Sequence, residues 1–565
     1  MTGAQALVQV LLGYGIDPVF CSPGSEWPPL WEELARRRAV GEPAPRYLNV
    51  RHEVLAVAMA SGYAKATGRL PAVLLHTTVG VLSGALALRA AYHEEIPMLV
   101  CVGESVAFGE DGGFDPGAQW LRYLADRGGP ARLAESYVKW SFGVNAAAIL
   151  ASTVHRACQI AMTPPRGPVL VSLPFEYLVG PVKAAAVTHW GFPPPPLADP
   201  DALAGAAATL SAARNPVIVT ETAGRDPAAV DALVALAESL GAPVVEGLAQ
   251  TYLNFPRDHP LHGGFDGRPY LEDADVVLLA GAVGPWHPAS AGPAASATVI
   301  ALGDNVHRAD SPYWGYRVDL AVPGELGQAL AALATRVREQ VPPAAACERT
   351  ARWAGRSGAR REAWRADALA HAEQKPLDAR WVCHALNAVL PADAIVVEET
   401  ITHRQAIVRH LDRLGRGAFF GGQSGGLGVG LGLALGIKCA APARPVVLLA
   451  GDGSLNYNPV LAALGFSQEY GLPILTVVFN NRGYLSMKRG VPALYPEGWA
   501  VRTDTFLGSA IAPSPAYAML APVFGGHGEA VDDPRELRPA LARALEAVRA
   551  GRSAIVDVVL AGDMR

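Results

Sequence analysis

Two loop tips in the last third of the sequence carry oxygen-bearing side chains that could hold a metal ion. Residues 451–459 read GDGSLNYNP, and the next apolar run, PILTVVFNN, ends at Asn481. Asp452 offers a carboxylate oxygen, Asn481 an amide oxygen, and the backbone carbonyl that we assign to Gly483 a third. Mg²⁺ prefers oxygen ligands and keeps its other positions for water and phosphate oxygens. The two tips therefore predict a Mg²⁺ site that holds a diphosphate.

The residues around Asp452 suit the binding of such an anion. Gly451 and Gly453 permit a tight turn and let backbone amides approach a phosphate closely. Ser454 adds a hydroxyl at the start of the following helix. A strand, turn and helix without a ligand would be the better explanation of GDG alone. The paired asparagines at the end of the next predicted strand favour the ligand.

Three blocks of the sequence alternate apolar strand runs with helical segments, and these blocks must position the two tips. The blocks cover residues 1–182, 199–341 and 376–565. Runs such as PMLVCVGE, ADVVLLAG and RPVVLLAGDG are typical of buried parallel strands. The alternation predicts an α/β fold of three doubly wound parallel-sheet domains. Ligands of such sheets bind beyond the carboxyl ends of the strands, where GDG and NN both lie.

Two segments separate the blocks, and a third interrupts the last one. The first, AAAVTHWGFPPPPLADP, contains four consecutive prolines, which exclude it from a helix or a central strand. The second, ERTARWAGRSGARREAWRADALAHAE, is either a basic binding surface or a solvated connector helix. Its mixture of Arg, Glu and Asp favours the connector. The segment between Asn481 and Ala516, residues 482–515, is long and rich in turn residues, which fits either a lid or a surface excursion.

The composition excludes several classes of protein. The net charge of −5 gives no reason to expect nucleic acid or an anionic membrane surface as a partner. Six cysteines lie far apart without a CxxC pair, which indicates free thiols rather than disulfides or a zinc site. The N-terminus lacks a basic, cleavable signal, and no apolar run is long enough to span a bilayer. We therefore expect a cytoplasmic enzyme.

The segment from GDG to NN resembles the cofactor motif of the thiamine-diphosphate (ThDP) dependent decarboxylase and carboligase superfamily. That motif begins with GDG and ends with NN, and the segment here is two residues longer than usual, around residues 458–462. The resemblance implies ThDP and Mg²⁺ as cofactors, and a pyrimidine-binding, a central and a diphosphate-binding domain in that order. It also implies that the cofactor lies between the first domain of one subunit and the third of another. We therefore expect a homodimer or a homotetramer.

The rest of the sequence offers the other residues that this family needs. Glu53, in VRHEVLAVAMASGYAKATG, matches the glutamate that shares a proton with the aminopyrimidine ring and so activates the thiazolium carbon. A helix-start ion pair is the alternative for Glu53. In FFGGQSGGLGVGLGLALG, Leu427 matches the side chain that bends the cofactor, and Gly425 matches the carbonyl beside it. Thr400 and Tyr484 complete the cofactor contacts that the resemblance implies.

Several shorter matches resemble the benzoylformate decarboxylase branch of the superfamily. PGS places Ser25 where a substrate-binding serine lies, and PAVLLHTTVG and GPWHP place His76 and His287 near two active-site histidines. The resemblance implies decarboxylation of a 2-oxo acid through an enamine, which is then protonated to an aldehyde or added to a second carbonyl. An imidazole with a pKa near neutrality suits those proton transfers. Each histidine alone is equally well explained by a structural hydrogen bond.

Three alternatives stay open at this point. RHE and AYHEEIPMLVCVGE resemble the acetolactate-synthase branch, which predicts a carboligase, or an oxidase with FAD in the central domain. A non-catalytic ThDP-binding homologue is the second alternative, although Glu53, Asp452 and Asn481 are all present. The third concerns the glycines of residues 428–436, which could form a dinucleotide-binding loop but lack an acidic partner for a ribose. We expect these small residues to permit close helix packing instead.

Overall fold

The fold consists of three parallel sheets with helices on their faces. The computed structural model describes residues 1–104, 124–182, 190–248, 250–309, 311–422 and 425–562. Within those residues the chain forms three six-stranded sheets, and every strand pairs with its neighbours in parallel. This confirms the predicted α/β class of three doubly wound parallel-sheet domains.

The first sheet has the strand order β2-β1-β3-β4-β6-β5. Its strands are β1 (Val19–Ser22), β2 (Tyr47–Asn49), β3 (Ala72–Leu75), β4 (Met98–Glu104), β5 (Trp140–Gly143) and β6 (Pro168–Pro174). The helices of this region are α1 (Gly3–Gly13), α2 (Pro28–Val40), α3 (Glu53–Thr67), α4 (Thr77–His93), α5 (Gly129–Ala134), α6 (Leu150–Met162) and α7 (Phe175–Val179), with 3₁₀ turns at Glu135–Tyr137 and Ala147–Ile149. The predicted apolar runs form the central strands, because those strands are covered by helices on both faces.

The second sheet has the order β12-β11-β10-β7-β8-β9. Its strands are β7 (Pro216–Thr220), β8 (Val244–Glu246), β9 (His262–Gly264), β10 (Val276–Ala280), β11 (Thr298–Gly303) and β12 (Leu320–Pro323). The helices here are α8 (Pro200–Ala212), α9 (Pro227–Leu240), α10 (Arg268–Leu271), α11 (Leu326–Gln340) and α12 (Pro343–Ala370), with 3₁₀ turns at Ala223–Arg225 and Ala289–Ala291. The charged segment after this sheet is therefore the helix α12, as predicted.

The third sheet has the order β14-β13-β15-β16-β18-β17. Its strands are β13 (Ile395–Glu399), β14 (Phe419–Gly421), β15 (Val446–Gly451), β16 (Leu475–Asn480), β17 (His527–Val531) and β18 (Ala554–Val559). The helices are α13 (Ala379–Val389), α14 (Arg404–His410), α15 (Gly430–Ala440), α16 (Asp452–Tyr457), α17 (Val460–Tyr470), α18 (Leu485–Leu494), α19 (Trp499–Arg502) and α20 (Leu537–Arg549), with 3₁₀ turns at Ile401–His403, Tyr517–Leu520 and Pro522–Phe524. Among the described residues, no helix is long and apolar enough to cross a membrane.

The described chain packs into two compact units. The first contains residues 1–194, 423–442 and 456–472, and the second contains residues 195–422, 443–455 and 473–565. Helices α15 and α17 therefore belong to the first unit. The domain limits at residues 182, 199, 341 and 376 stay predictions.

Helices α3 and α15 approach each other closely in the first unit because glycines face backbone carbonyls. A Cβ atom on Gly436 would lie 1.9 Å from the carbonyl oxygen of Met59, and one on Gly62 would lie 2.2 Å from that of Leu433. Neither carbonyl can move without displacing its helix. Gly436, together with Gly432, whose Cβ atom would lie 2.4 Å from Ala58 Cβ, thus serves the helix packing that the sequence predicted.

We expect the substitution Gly436→Ala to destabilise the protein by about 1–3 kcal/mol, because the new methyl group must displace the backbone of α3. Gly490→Ala is the matched control, since a Cβ atom at this helical glycine would meet nothing within 4 Å. Thermal melting should show a lower Tm for Gly436→Ala and an unchanged or higher Tm for Gly490→Ala. Equal Tm values for the two variants would contradict the packing.

Candidate active site

Three of the predicted site residues lie at the edge of the first sheet that the carboxyl ends of its strands form. Strand β1 pairs with β2 on one side and with β3 on the other, all in parallel. Ser25 follows β1, Glu53 opens the helix after β2, and His76 follows β3 directly. The carboxyl ends of parallel strands meet at one edge, so these three residues share the edge where ligands of such sheets bind.

Glu53 is the first residue of α3 and is half-buried. Its Oε2 atom accepts a hydrogen bond of 2.8 Å from Ser83 Oγ, which orients the carboxylate. A carboxylate in the first turn of a helix is also favoured by the helix dipole. Among the described residues Glu53 forms no ion pair, so the structure gives no support to a helix-start ion pair.

Glu26 is a functional candidate that sequence reasoning missed. Its side chain is fully buried, and its Oε2 atom lies 2.7 Å from His76 Nδ1. This hydrogen bond and the negative charges of Glu26 and Glu53 raise the pKa of His76, against burial, which lowers it. Glu26 therefore holds the ring of His76 in place and favours its protonated form. The sequence signal was available, because Glu26 directly follows Ser25 in the PGS loop.

Two glycines make room for this pair. A Cβ atom on Gly103 would lie 1.8 Å from Glu26 Cγ, and one on Gly24 would lie 1.8 Å from His76 Nδ1. The Oε1 atom of Glu26 is buried without a hydrogen-bond partner among the described residues. Among the described residues, His76 is therefore the partner that offsets the cost of burying this polar side chain.

Ser25 and three further predicted site residues are exposed or half-buried. Ser25 is exposed in the turn before α2. Gly425 is exposed with a φ of 68°, and Leu427 is half-buried. Next to them, a Cβ atom on Gly426 would lie 2.3 Å from Leu86 Cδ1, so the chain passes very close to α4. His287 lies in the second unit, exposed in the loop that follows β10.

The two loop tips of the third sheet meet as predicted. Strands β15 and β16 are neighbours, and Asp452 and Asn481 follow their carboxyl ends. The backbone N–H of Gly483 donates to Asp452 Oδ2 at 3.0 Å and to Asn481 Oδ1 at 3.1 Å. One N–H group thus holds both predicted ligand oxygens. The Nδ2 atom of Asn481 lies 3.2 Å from His403 Nε2.

Asp452 is a buried carboxylate whose environment suits a cation. It is 2% exposed, and burial raises its pKa to about 6 in spite of hydrogen bonds from the N–H groups of Gly453 and Gly483. In the part of the chain that the structure describes, no basic side chain pairs with it. A divalent cation would supply the missing counter-charge, and a carboxylate beside an amide oxygen is a donor set that Mg²⁺ accepts.

The glycines and polar residues around Asp452 are closely packed. A Cβ atom on Gly453 would lie 2.7 Å from Tyr484 Cε1, so only glycine fits beneath that ring. Thr400, at the carboxyl end of the neighbouring strand β13, is buried and donates from Oγ1 to Glu398 Oε1 at 2.7 Å. Gly451 ends β15, and Ser454 is buried in the first turn of α16.

The segment between the two loop tips contains two helices with a short break between them. Helix α16 ends at Tyr457 and α17 begins at Val460, with Asn458 and Pro459 between them. The Oδ1 atom of Asn458 accepts a hydrogen bond of 2.9 Å from the N–H of Leu431. The break lies within residues 458–462, and the location of the two extra residues in this stretch stays a prediction.

Comparison with known families agrees with this geometry. Residues 1–116 match the description "Thiamine pyrophosphate enzyme, N-terminal TPP binding domain", residues 203–333 its central domain, and residues 402–558 its C-terminal TPP binding domain. The chain belongs to the thiamine-diphosphate-dependent enzyme family. ThDP, for which thiamine pyrophosphate is another name, is therefore its cofactor. The three matches follow the order of the three sheets.

Individual relatives are similar over most of the chain. Benzoylformate decarboxylase of Pseudomonas aeruginosa is 29% identical, over 86% of this chain and 87% of its own length. The acetolactate synthase isozyme 3 large subunit of Escherichia coli is 26% identical, over 100% of this chain and 95% of its own length. The solved structure of the ThDP-dependent 4-hydroxybenzoylformate decarboxylase of Rhodococcus jostii RHA1 superposes with a TM-score of 0.81 at 26% identity, covering 100% of both chains. This ThDP enzyme thus has relatives among both decarboxylases and carboligases.

We expect Glu26→Gln to lower the pKa of His76, because the hydrogen bond from a carboxylate and its charge are lost together. The pair stabilises the fold most at a pH below about 6.5, and this stabilisation is lost as the pH rises through the raised pKa of His76. Titration of the His76 ring by NMR, assigned through His76→Asn, measures the shift. The exposed, ion-paired Glu42 provides the control variant Glu42→Gln, which should leave the pKa of His76 unchanged.

Proposed function

We propose that this enzyme decarboxylates a 2-oxo acid of the benzoylformate class, with ThDP and Mg²⁺ as cofactors. The observation that carries the proposal is the hydrogen bond between the buried Glu26 and the half-buried His76, at the sheet edge that also holds Ser25 and Glu53. The names of the Pseudomonas and Rhodococcus relatives support the same substrate class.

We assign a role in the reaction to each residue at that edge of the sheet. Bound ThDP supplies a nucleophilic carbon and an electron sink. Glu53, oriented by Ser83, would hold a proton against a nitrogen of the aminopyrimidine ring. His76 keeps a proton to a higher pH because of Glu26, and can donate it as the product forms. We assign Ser25 to the substrate carboxylate and His287 to a second proton transfer.

The loop tips of the third sheet would hold the other end of the cofactor. Asp452 and Asn481 supply two oxygens to Mg²⁺, and we assign a backbone oxygen of Gly483 as the third ligand. The backbone amides of residues 451–454 and the side chain of Thr400 would hold the diphosphate. We propose Gly425, Leu427 and Tyr484 as further cofactor contacts. We also propose a homodimer or homotetramer, because enzymes of this family are typically multimeric.

A carboligase is the second candidate, because the acetolactate synthase of Escherichia coli aligns with the whole chain. The product decides between the two. Benzaldehyde from benzoylformate indicates a decarboxylase, whereas a 2-hydroxy ketone formed from pyruvate indicates a carboligase. A yellow flavin in the purified protein would instead indicate an oxidase of the same family.

We expect CO₂ release from benzoylformate or 4-hydroxybenzoylformate that depends on both ThDP and Mg²⁺. Glu53→Gln should lower kcat by about 10²–10⁴, because the proton shared with the cofactor ring is lost. Glu42→Gln removes an exposed carboxylate of the same unit and should leave kcat unchanged. Full activity of Glu53→Gln, or no turnover of any aromatic or aliphatic 2-oxo acid, would refute the proposal.

We expect Asp452→Ala to weaken the Mg²⁺-dependent retention of ThDP by more than about a hundredfold, since a direct ligand is worth more than the outer-shell partners of a metal site. Equilibrium dialysis of ThDP at several Mg²⁺ concentrations measures this loss. The exposed Asp393 offers the control Asp393→Ala, for which retention should match the unchanged chain. Unchanged retention in Asp452→Ala would contradict the metal assignment.

A further inference from the structure

A cavity of about 150 Å³ in the second unit has an unusual excess of positive charge. It lies among α12, α13 and α14. Five arginines line it, whereas its lining contains a single carboxylate, that of Asp412. The arginines are Arg257, Arg361, Arg365, Arg409 and Arg413.

The nearby carboxylates do not neutralise these arginines. The Oδ1 atom of Asp412 accepts a hydrogen bond of 2.9 Å from Asn387 Nδ2, a neutral amide. Within the described residues, none of Arg365, Arg409 and Arg413 forms an ion pair with a carboxylate. Like charges this close repel one another, most strongly where water is partly excluded.

A histidine in the wall of the cavity responds to this charge. His384 also lines the cavity, and its pKa is lowered first by burial and then by the positive charges of Arg538, Arg365 and Arg413. The charge of Asp412 acts in the opposite direction but does not reverse the shift. Two of these three arginines, Arg365 and Arg413, are in the lining of the cavity itself.

Arg257 is the most constrained of the five arginines. Its side chain is 4% exposed, with the guanidinium 5.0 Å from the centre of the Phe419 ring and 5.8 Å from that of Phe265. Its Nη1 atom donates to the carbonyl of Leu411, but Nε and Nη2 are buried and have no acceptor among the described residues. Burial lowers the pKa of Arg257 in spite of the opposing negative charges of Glu246 and Asp412, yet arginine keeps its charge in proteins. A buried charge with unsatisfied donors needs a counter-ion.

We propose that this cavity binds a small, multiply charged anion of the phosphate class. The planar guanidinium presents paired N–H donors that match two phosphate oxygens, and several arginines around one anion suit a phosphate better than a single carboxylate. The volume is several times the roughly 30 Å³ that one water occupies in the liquid, which accommodates a phosphate group and leaves any larger part of the ligand outside. Arg361 and Arg365 reach the anion from α12, and Arg409 and Arg413 reach it from α14 and the residues after it.

Isothermal titration of inorganic phosphate into the protein tests this site. The protein is first saturated with ThDP and Mg²⁺, so that phosphate cannot occupy the cofactor site, and ionic strength is held at about 0.15 M because screening acts over about 8 Å there. We expect one phosphate per chain. Arg365→Gln and Arg413→Gln should each weaken binding about tenfold, since each removes a charge-assisted hydrogen bond.

The control variant is Arg352→Gln, which removes an exposed arginine from the same helix outside the cavity. It should bind phosphate as tightly as the unchanged protein. Arg365→Lys retains the charge and should bind phosphate more tightly than Arg365→Gln. A Tm of Arg365→Lys equal to that of the unchanged protein would show that the variant is folded. Equal affinities in all variants, or no binding below about 10 mM phosphate, would overturn the proposal. Acetate binding as tightly as phosphate would overturn the assignment to a multiply charged anion.

Discussion

Parallel strands bring every segment that leaves a carboxyl end to the same edge of its sheet, and the candidate residues of each unit depend on this constraint. In the first sheet it places Ser25, Glu53 and His76 together, although separate strands and helices lie between them in the chain. In the third sheet it places Asp452 and Asn481 so close that one N–H group binds both side chains. The helices between the strands carry the chain back and cover the faces, which makes the edge the open surface for a ligand.

Buried charge is the second recurring feature, and each instance has a different counter-charge. Glu26 is fully buried and is balanced within the chain by the imidazole of His76. Asp452 is buried without a basic partner in the described residues, so its raised pKa fits a site that a metal ion completes. Burying an unpaired charge costs several kcal/mol, and a folded protein keeps such groups where a ligand or a proton transfer offsets that cost.

The sequence predicted the central strands of all three sheets but not most of the outer ones. The outermost strands β5, β9, β12, β14 and β17 carry no long apolar run of the kind from which we predicted the central strands. Edge strands are short or half-exposed, so they lack the long apolar run that marks a strand covered on both faces. Glu26 directly follows Ser25 in the sequence, but its burial and its contact with His76, which follows another strand, are visible only in the structure. Arg, Glu and Asp alternate along α12, so the sequence alone did not show that Arg361 and Arg365, one turn apart, line the same cavity.

A crystal structure of the enzyme with ThDP and Mg²⁺ bound tests the central claim most directly. We expect Mg²⁺ at about 2.0–2.1 Å from an oxygen of Asp452 and from Asn481 Oδ1. We also expect the carboxylate of a Glu53 residue to be hydrogen-bonded to the aminopyrimidine ring, with the Glu26–His76 pair intact. A cofactor bound without Asp452 and Asn481, or an aminopyrimidine ring that no Glu53 contacts, would contradict this account of the site.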